Sequence, residues 1–332
     1  MISFFDVFLT VTFLLVLAIP GFIFAKTKMF PKSASETLTV IVLYGCQPIL
    51  IFTSFQGCAF NPSIAVNMLI VAGIAIAIHL MMFLIVKLAF IKWQAVEKVK
   101  LVKYLSVFSN CGFMGLPFLQ SLFTDASLQA ELVIYCAVIL AVFNILNWTF
   151  GVYIITGDKK EISAKKVLLN PVIIAVVLSL AVFFIIQKPL VEIAAAGTIA
   201  YKLLTKLMSK LNFLSNMVTP LAMFVIGVRL ANVDFKAIFT DKWAYVATMT
   251  KLLVMSFVTM FLVAYLPIAS TIKYTIFFLL SMPSATSGAM MAVQYGKDSD
   301  FASVGVVLST IISIVTLPLM YLFMNTVLGI VI

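Results

Sequence analysis

The sequence predicts an all-α membrane protein of ten transmembrane helices, arranged as two inverted five-helix repeats. Three observations carry that prediction. The 332-residue chain is 64% hydrophobic and 10% charged, with a mean hydropathy of +1.20, whereas soluble domains run nearer 45–50% apolar and about 25% charged. Its apolar stretches divide into ten lengths able to cross a bilayer, which takes about 17–25 residues each. Sequence features also recur at a spacing of 172 residues. The formal charge of +10 does not point to nucleic acid, because the basic residues are scattered over short loops and form no single stripe.

The first segment, 3–25, is long and lacks a basic start, so it reads as a retained span and not as a cleaved leader. Segments at 34–55 and 64–91 follow. The fourth, 101–123, is interrupted by Phe108-Ser109-Asn110-Cys111-Gly112-Phe113-Met114-Gly115-Leu116-Pro117. Two glycines and a proline there are incompatible with an unbroken membrane helix. Backbone groups freed at membrane depth must be buried in protein or face a wet cavity. The fifth and sixth segments are 131–156 and 167–187. Residues 188–211, with Lys188, Glu192, Lys202, Lys206 and Lys210 among alanines and leucines, predict an amphipathic helix lying on the membrane surface. It leads into 212–231, then 241–266. The ninth segment, 271–295, is broken at Ser281-Met282-Pro283-Ser284-Ala285-Thr286-Ser287-Gly288, and the tenth is 301–329.

Lysine and arginine fix the orientation. Fifteen lie in the loops after the odd segments and five on the other side, so the odd loops should face the cytoplasm and both termini the outside. The 172-residue spacing relates Pro48 to Pro220 and Phe123 to Tyr295, and it sets Asn110 opposite Met282 and Cys111 opposite Pro283. Units of 1–156 and 157–332 follow, the second comprising a linker, span six and amphipathic helix over 157–211 and the rest over 212–332. Five is odd, so the second unit enters the membrane from the opposite face, as in many secondary transporters.

The twelve carboxylates all fall near segment ends or in loops, which leaves no intramembrane acid for a cation relay. No nucleophile–histidine–acid set, phosphate loop or metal-ligand cluster is present, so neither an enzyme nor a cofactor is expected. Polar groups at mid-depth are neutral. Asn110 can donate its amide, with Ser109 and Gly112 beside it, and Pro117 and Pro283 make room for them. A half-helix start there favours an anion. Ser281, Ser284, Thr286 and Ser287 offer hydroxyls from the other break, or simply let helices approach closely. Lys251 either neutralises a carboxylate or snorkels to the surface, as Lys87 should. His79 reads as a packed, hydrogen-bonded histidine, and Gln47, Asn144 and Asn147 as links between helices. Cys46, Cys58, Cys111 and Cys136 read as packing residues.

In combination these stretches resemble the auxin efflux carrier family, which includes plant PIN-type carriers and bacterial malate or malonate permeases. The likeness rests on Pro20-Gly21 through Phe30 with the Val40–Phe55 span and its Pro48. It rests also on Ser109-Asn110 with Met114-Gly115-Leu116-Pro117, on Asn170-Pro171, and on Met282-Pro283 through Tyr295 followed by Thr316-Leu317-Pro318. The resemblance implies that segments four and nine cross each other. It implies a scaffold of spans 1, 2, 6 and 7 and a transport domain of spans 3–5 and 8–10 working as an elevator, with Asn110 contributing to anion binding. The short loop at Gly157–Lys166, and the absence of an Asp and Lys pair at Pro62–Met68, separate the chain from the plant carriers and favour a small organic acid over auxin. The expectation is a plasma-membrane secondary carrier of a mono- or dicarboxylate. Lipid surrounds it, a homodimer is admissible, and nucleic acid is not a partner. A sodium-coupled symporter of amphipathic acids and a non-transporting receptor stay open as alternatives.

Overall fold

The computed structural model describes residues 2–31, 33–58, 60–123 and 125–329; Lys32 of the first loop and Thr124 at the end of the fourth segment lie outside that set. The described residues form helices and connecting turns, with no β-strand beyond one isolated bridge. Eight of the helices are long and apolar enough to cross a membrane. They are α1 (Phe4–Lys26), α2 (Ala34–Gln56), α3 (Pro62–Ala89), α5 (Leu128–Thr156), α6 (Pro171–Ile193, ending in a 3₁₀ turn), α7 (Ile199–Asn232), α8 (Lys242–Ala264) and α10 (Ser299–Leu328). The fourth and ninth segments are each split, into α4a (Glu97–Val107) and α4b (Cys111–Leu122), and into α9a (Ser270–Ser281) and α9b (Ser287–Gln294).

Local chemistry sets the ends. Ser3 and Asp6 form a reciprocal capping box at α1. Asn61, Asp125, Asn170, Asp241 and Asp298 each accept a backbone N–H in the first turn of the helix that follows. Pro62 and Pro171 sit at first-turn positions, where the missing N–H is harmless. Gly157 closes α5 with φ +80°.

Two expectations are corrected. The amphipathic helix does not occupy 188–211. After a 3₁₀ turn at Leu190–Ile193 and Gly197 at φ +87°, the helix starts at Ile199 behind the Thr198 cap. It then continues past a short irregularity at Asn216–Met217 to Asn232, so a boundary at 211/212 falls inside α7. Thirty-four residues extend about 51 Å, longer than the ~30 Å hydrocarbon core, so α7 has length to spare for a charged first stretch. Lys202, Lys206 and Lys210 are exposed there, four residues apart, on one stripe.

Turns of π-helix interrupt α2 at Ile41–Cys46, α4b at Cys111–Gly115, α5 at Asn147–Gly151 and α8 at Thr250–Met255. In the first two a proline follows one residue after the turn. Pro48 and Pro117 cannot donate to the preceding turn, and the i→i−5 bonds from Gln47 to Val42 and from Leu116 to Cys111 absorb the mismatch.

Packing divides the helices. The second half of α1 lies on α7, and α2 lies on α6 and α7. α3 lies on α5, α8 on α4a and α10, α9a on α8 and α5, and α9b on α10. The first half of α1 bridges to α10 and α4b. Lys87 is exposed near the end of α3, and His79 is buried with Nδ1 on the Ala75 carbonyl at 2.7 Å.

Candidate functional site

The two broken helices meet at their breaks. The Asn110 N–H donates to the Pro283 carbonyl at 2.8 Å, and the Ala285 N–H donates to the Phe108 carbonyl at 2.9 Å, which makes Ser109 and Ser284 an antiparallel bridge. Extended backbone in the bilayer would strand polar groups, and here each break satisfies the other. The register differs from that of the 172-residue spacing. Asn110 faces Pro283, not Met282, and the bridged serines are 175 residues apart.

Side chains complete the crossing. The Ser284 hydroxyl donates to the Leu105 carbonyl at 2.9 Å, near the end of α4a, and its N–H donates to Ser309 Oγ at 3.1 Å. Arg229 on α7 is buried, and its Nη1 donates to the Thr286 carbonyl. Lys251 on α8 is 1% exposed, and its ammonium donates to the Leu280 carbonyl at 2.8 Å, near the end of α9a.

A small cavity of about 50 Å³ opens against the crossing. Its walls come from both breaks (Ser109, Asn110, Gly112 and Phe113; Ala285, Thr286 and Ser287), from α5 (Asn144, Asn147, Trp148), from α2 (Thr39, Tyr44, Gln47) and from the start of α6 (Asn170, Pro171). Such a space takes roughly three or four water-sized groups, enough for the polar head of a small molecule. No charged side chain lines it.

Most polar groups around the cavity are satisfied. Tyr104 donates to Asn147 Oδ1 at 2.6 Å and meets Ser287 Oγ at 2.9 Å, while Asn170 Nδ2 donates to Asn144 Oδ1 at 3.1 Å. Three are not: Asn110 Nδ2, Ser109 Oγ and Gln47 Oε1 are buried without a hydrogen-bond partner. A buried polar atom left unmade costs roughly 1–3 kcal/mol, so a ligand that engages them recovers that cost. The first turns of α4b and α9b both reach the cavity wall, and neither has a side-chain cap. The positive dipole ends of these uncapped first turns favour negative charge.

The cavity shares Thr39, Leu43, Tyr44 and Met290 with a larger one of about 830 Å³. This vestibule is lined by Glu36, Arg229, Asp234 and Val304, and also by Lys98, Asp241 and Asp298. Lys98 sits 2.8 Å from Asp241 and 4.0 Å from Asp298, and Lys297 pairs with Glu97. Hydrogen bonds from Lys297 and Lys100 hold the Glu97 carboxyl below the usual carboxylate range. Among the described residues no carboxylate is buried and no metal-ligating cluster occurs.

A family model described as membrane transport protein matches residues 6–321. The chain belongs to that family, the auxin efflux carrier family of membrane transporters. No curated protein matches it.

For a transporter of this family, the crossing sorts the residues expected from sequence. Ser109, Asn110, Gly112 and Thr286 line the cavity; Ser281, Pro283, Ser284, Pro117 and Lys251 do not. Pro283 and Ser284 hold the crossing together through backbone and hydroxyl bonds. Pro117 lies past the break, within α4b. Lys251 neither snorkels nor reaches the cavity, because a helix-end carbonyl holds it. Conversely, Gln47, Asn144 and Asn147, read from sequence as links between helices, also form cavity wall. The signal available in the sequence was that each is an amide within an apolar segment.

Proposed function

We propose that this chain is a secondary carrier for a small organic anion, a mono- or dicarboxylate, bound at the crossing of α4 and α9. The observation that carries the reading is the cavity itself: two uncapped helix N-termini and the unpartnered Asn110 amide converge there, with no charged side chain on the wall. An anion held by fixed dipoles is stabilised without a counter-charge that would have to be released with it.

The ten segments form two inverted five-helix repeats, with the breaks near mid-membrane. The loop lysines place both termini outside the plasma membrane, so the vestibule faces the cytoplasm. Spans 1, 2, 6 and 7 serve as scaffold and the other six as the moving elevator; the cavity lies between these groups, with α2 and α6 on one side and α4, α5 and α9 on the other. The membrane potential can drive a net charge with about 2.3 kcal/mol per 100 mV.

The test is uptake of a labelled carboxylate panel into proteoliposomes under an imposed potential. Asn110→Ala should cut uptake of the accepted anion by roughly tenfold or more, the equivalent of one charge-assisted hydrogen bond of about 1.5–3 kcal/mol. Unchanged binding and transport in that variant would remove the site.

A further inference from the structure

Lys251 presents a problem of charge. Its ammonium is buried in α8, and no carboxylate among the described residues is buried with it. An isolated ammonium away from water is strongly unfavourable. The groups around it are the Leu280 carbonyl at 2.8 Å, with Cys111 at the head of α4b and His79 on α3 within electrostatic reach. Leu280 is the penultimate residue of α9a, which stops at Ser281. Lys251 therefore answers the negative end of a half-helix, where carbonyls have lost their intrahelical partners.

In carriers built on broken helices, that end of a half-helix is where a coupling sodium ion is coordinated. We propose that Lys251 is a tethered cation filling this coordination position, so that the carrier needs no exchangeable metal cation at the crossing. The inference rests on the carrier reading above and specifies its coupling. The other break differs in kind. The α4a end is met at Leu105 by the neutral hydroxyl of Ser284. The residue 172 positions before Lys251 is His79, which turns back on its own helix to Ala75 and leaves Nε2 without a partner. One half-helix end thus carries a fixed charge and the other does not.

The thermal midpoint of the purified full-length chain, read in matched sodium, potassium and choline chlorides, tests this apart from any transport. A filled position gains nothing by mass action, so the wild-type midpoint should be the same in all three salts and uptake should agree within about twofold. Lys251→Ala opens the position. Its lowered midpoint should rise again in sodium or in propylammonium, which replaces the lost stem and charge. Lys251→Met keeps the stem volume without the charge, so it should stay destabilised and gain nothing from the amine. Strict sodium dependence of the wild type overturns the proposal, as does a Lys251→Ala protein indifferent to every cation. A Lys251→Met protein equal to wild type overturns it too, since the charge would then be dispensable. If no anion is transported by any form while the salt and amine responses hold, the carrier reading fails and the tethered cation stands.

Discussion

Gly227 and Gly21 bring α7 and α1 together at backbone distance. A Cβ on Gly227 would lie 1.9 Å from the Ala18 carbonyl oxygen, and one on Gly21 would lie 2.5 Å from that of Phe224. Backbone cannot yield as a side chain tip can, so Gly227→Ala should lower stability by about 1–3 kcal/mol or prevent folding. Gly73 sits mid-helix in α3 with nothing within 4 Å of a Cβ, so Gly73→Ala should raise stability by roughly 0.5–1 kcal/mol through helix propensity alone. Thermal denaturation in detergent compares the two; equal behaviour would mean that the α1–α7 crossing is not close-packed. At this scale the sequence was informative where a residue type is improbable in its surroundings. Asn110 and Ser109 stand out in an apolar run and do line the cavity. Lys251 stood out equally, but its partner is a carbonyl 29 residues away on another helix. No local pattern encodes that pairing.

At the scale of elements, the two breaks stabilise each other, and Ser284 ties its break both to the other one and to α10. Its backbone pairs with Ser109, its N–H meets Ser309, and its hydroxyl meets the Leu105 carbonyl. Ser284→Ala keeps the backbone contacts and removes only the donor to Leu105. A buried acceptor left alone costs about 1–3 kcal/mol, so the variant should show a lower thermal midpoint while still reaching the membrane. An unshifted midpoint would show that water or rearrangement supplies the missing bond. Proline and glycine made the breaks legible in the sequence, because both act on the backbone of their own helix. The register between breaks was not legible. The spacing of 172 holds for Pro48 and Pro220 but reaches 175 at the bridged serines, and a shift of a few residues alters no hydropathy pattern. The π turns escaped for the same reason: one added residue within an apolar helix leaves its composition unchanged.

Across the whole molecule, the cavity connects to the vestibule through residues that line both. Thr39, Leu43, Tyr44 and Met290 belong both to the small cavity and to the 830 Å³ vestibule, whose lining includes Lys98, Asp241 and Asp298. Eight spans were legible from hydropathy because burial in lipid acts on whole segments. How α2 and α6 sit against α4, α5 and α9 was not, since that depends on side-chain fit among helices of similar composition. This arrangement makes a directional prediction. Met290 stands at the junction of the two spaces, so a thiol placed there by Met290→Cys should react with a membrane-impermeant maleimide added from the lysine-rich side. Reagent confined to the other side should react much more slowly, because in this conformation access to the junction runs through the vestibule. A transported anion should lower the rate from the lysine-rich side, either by filling the cavity or by moving α9 away from α2. Equal labelling from both faces of sealed, oriented vesicles would describe a continuous pore instead of a carrier.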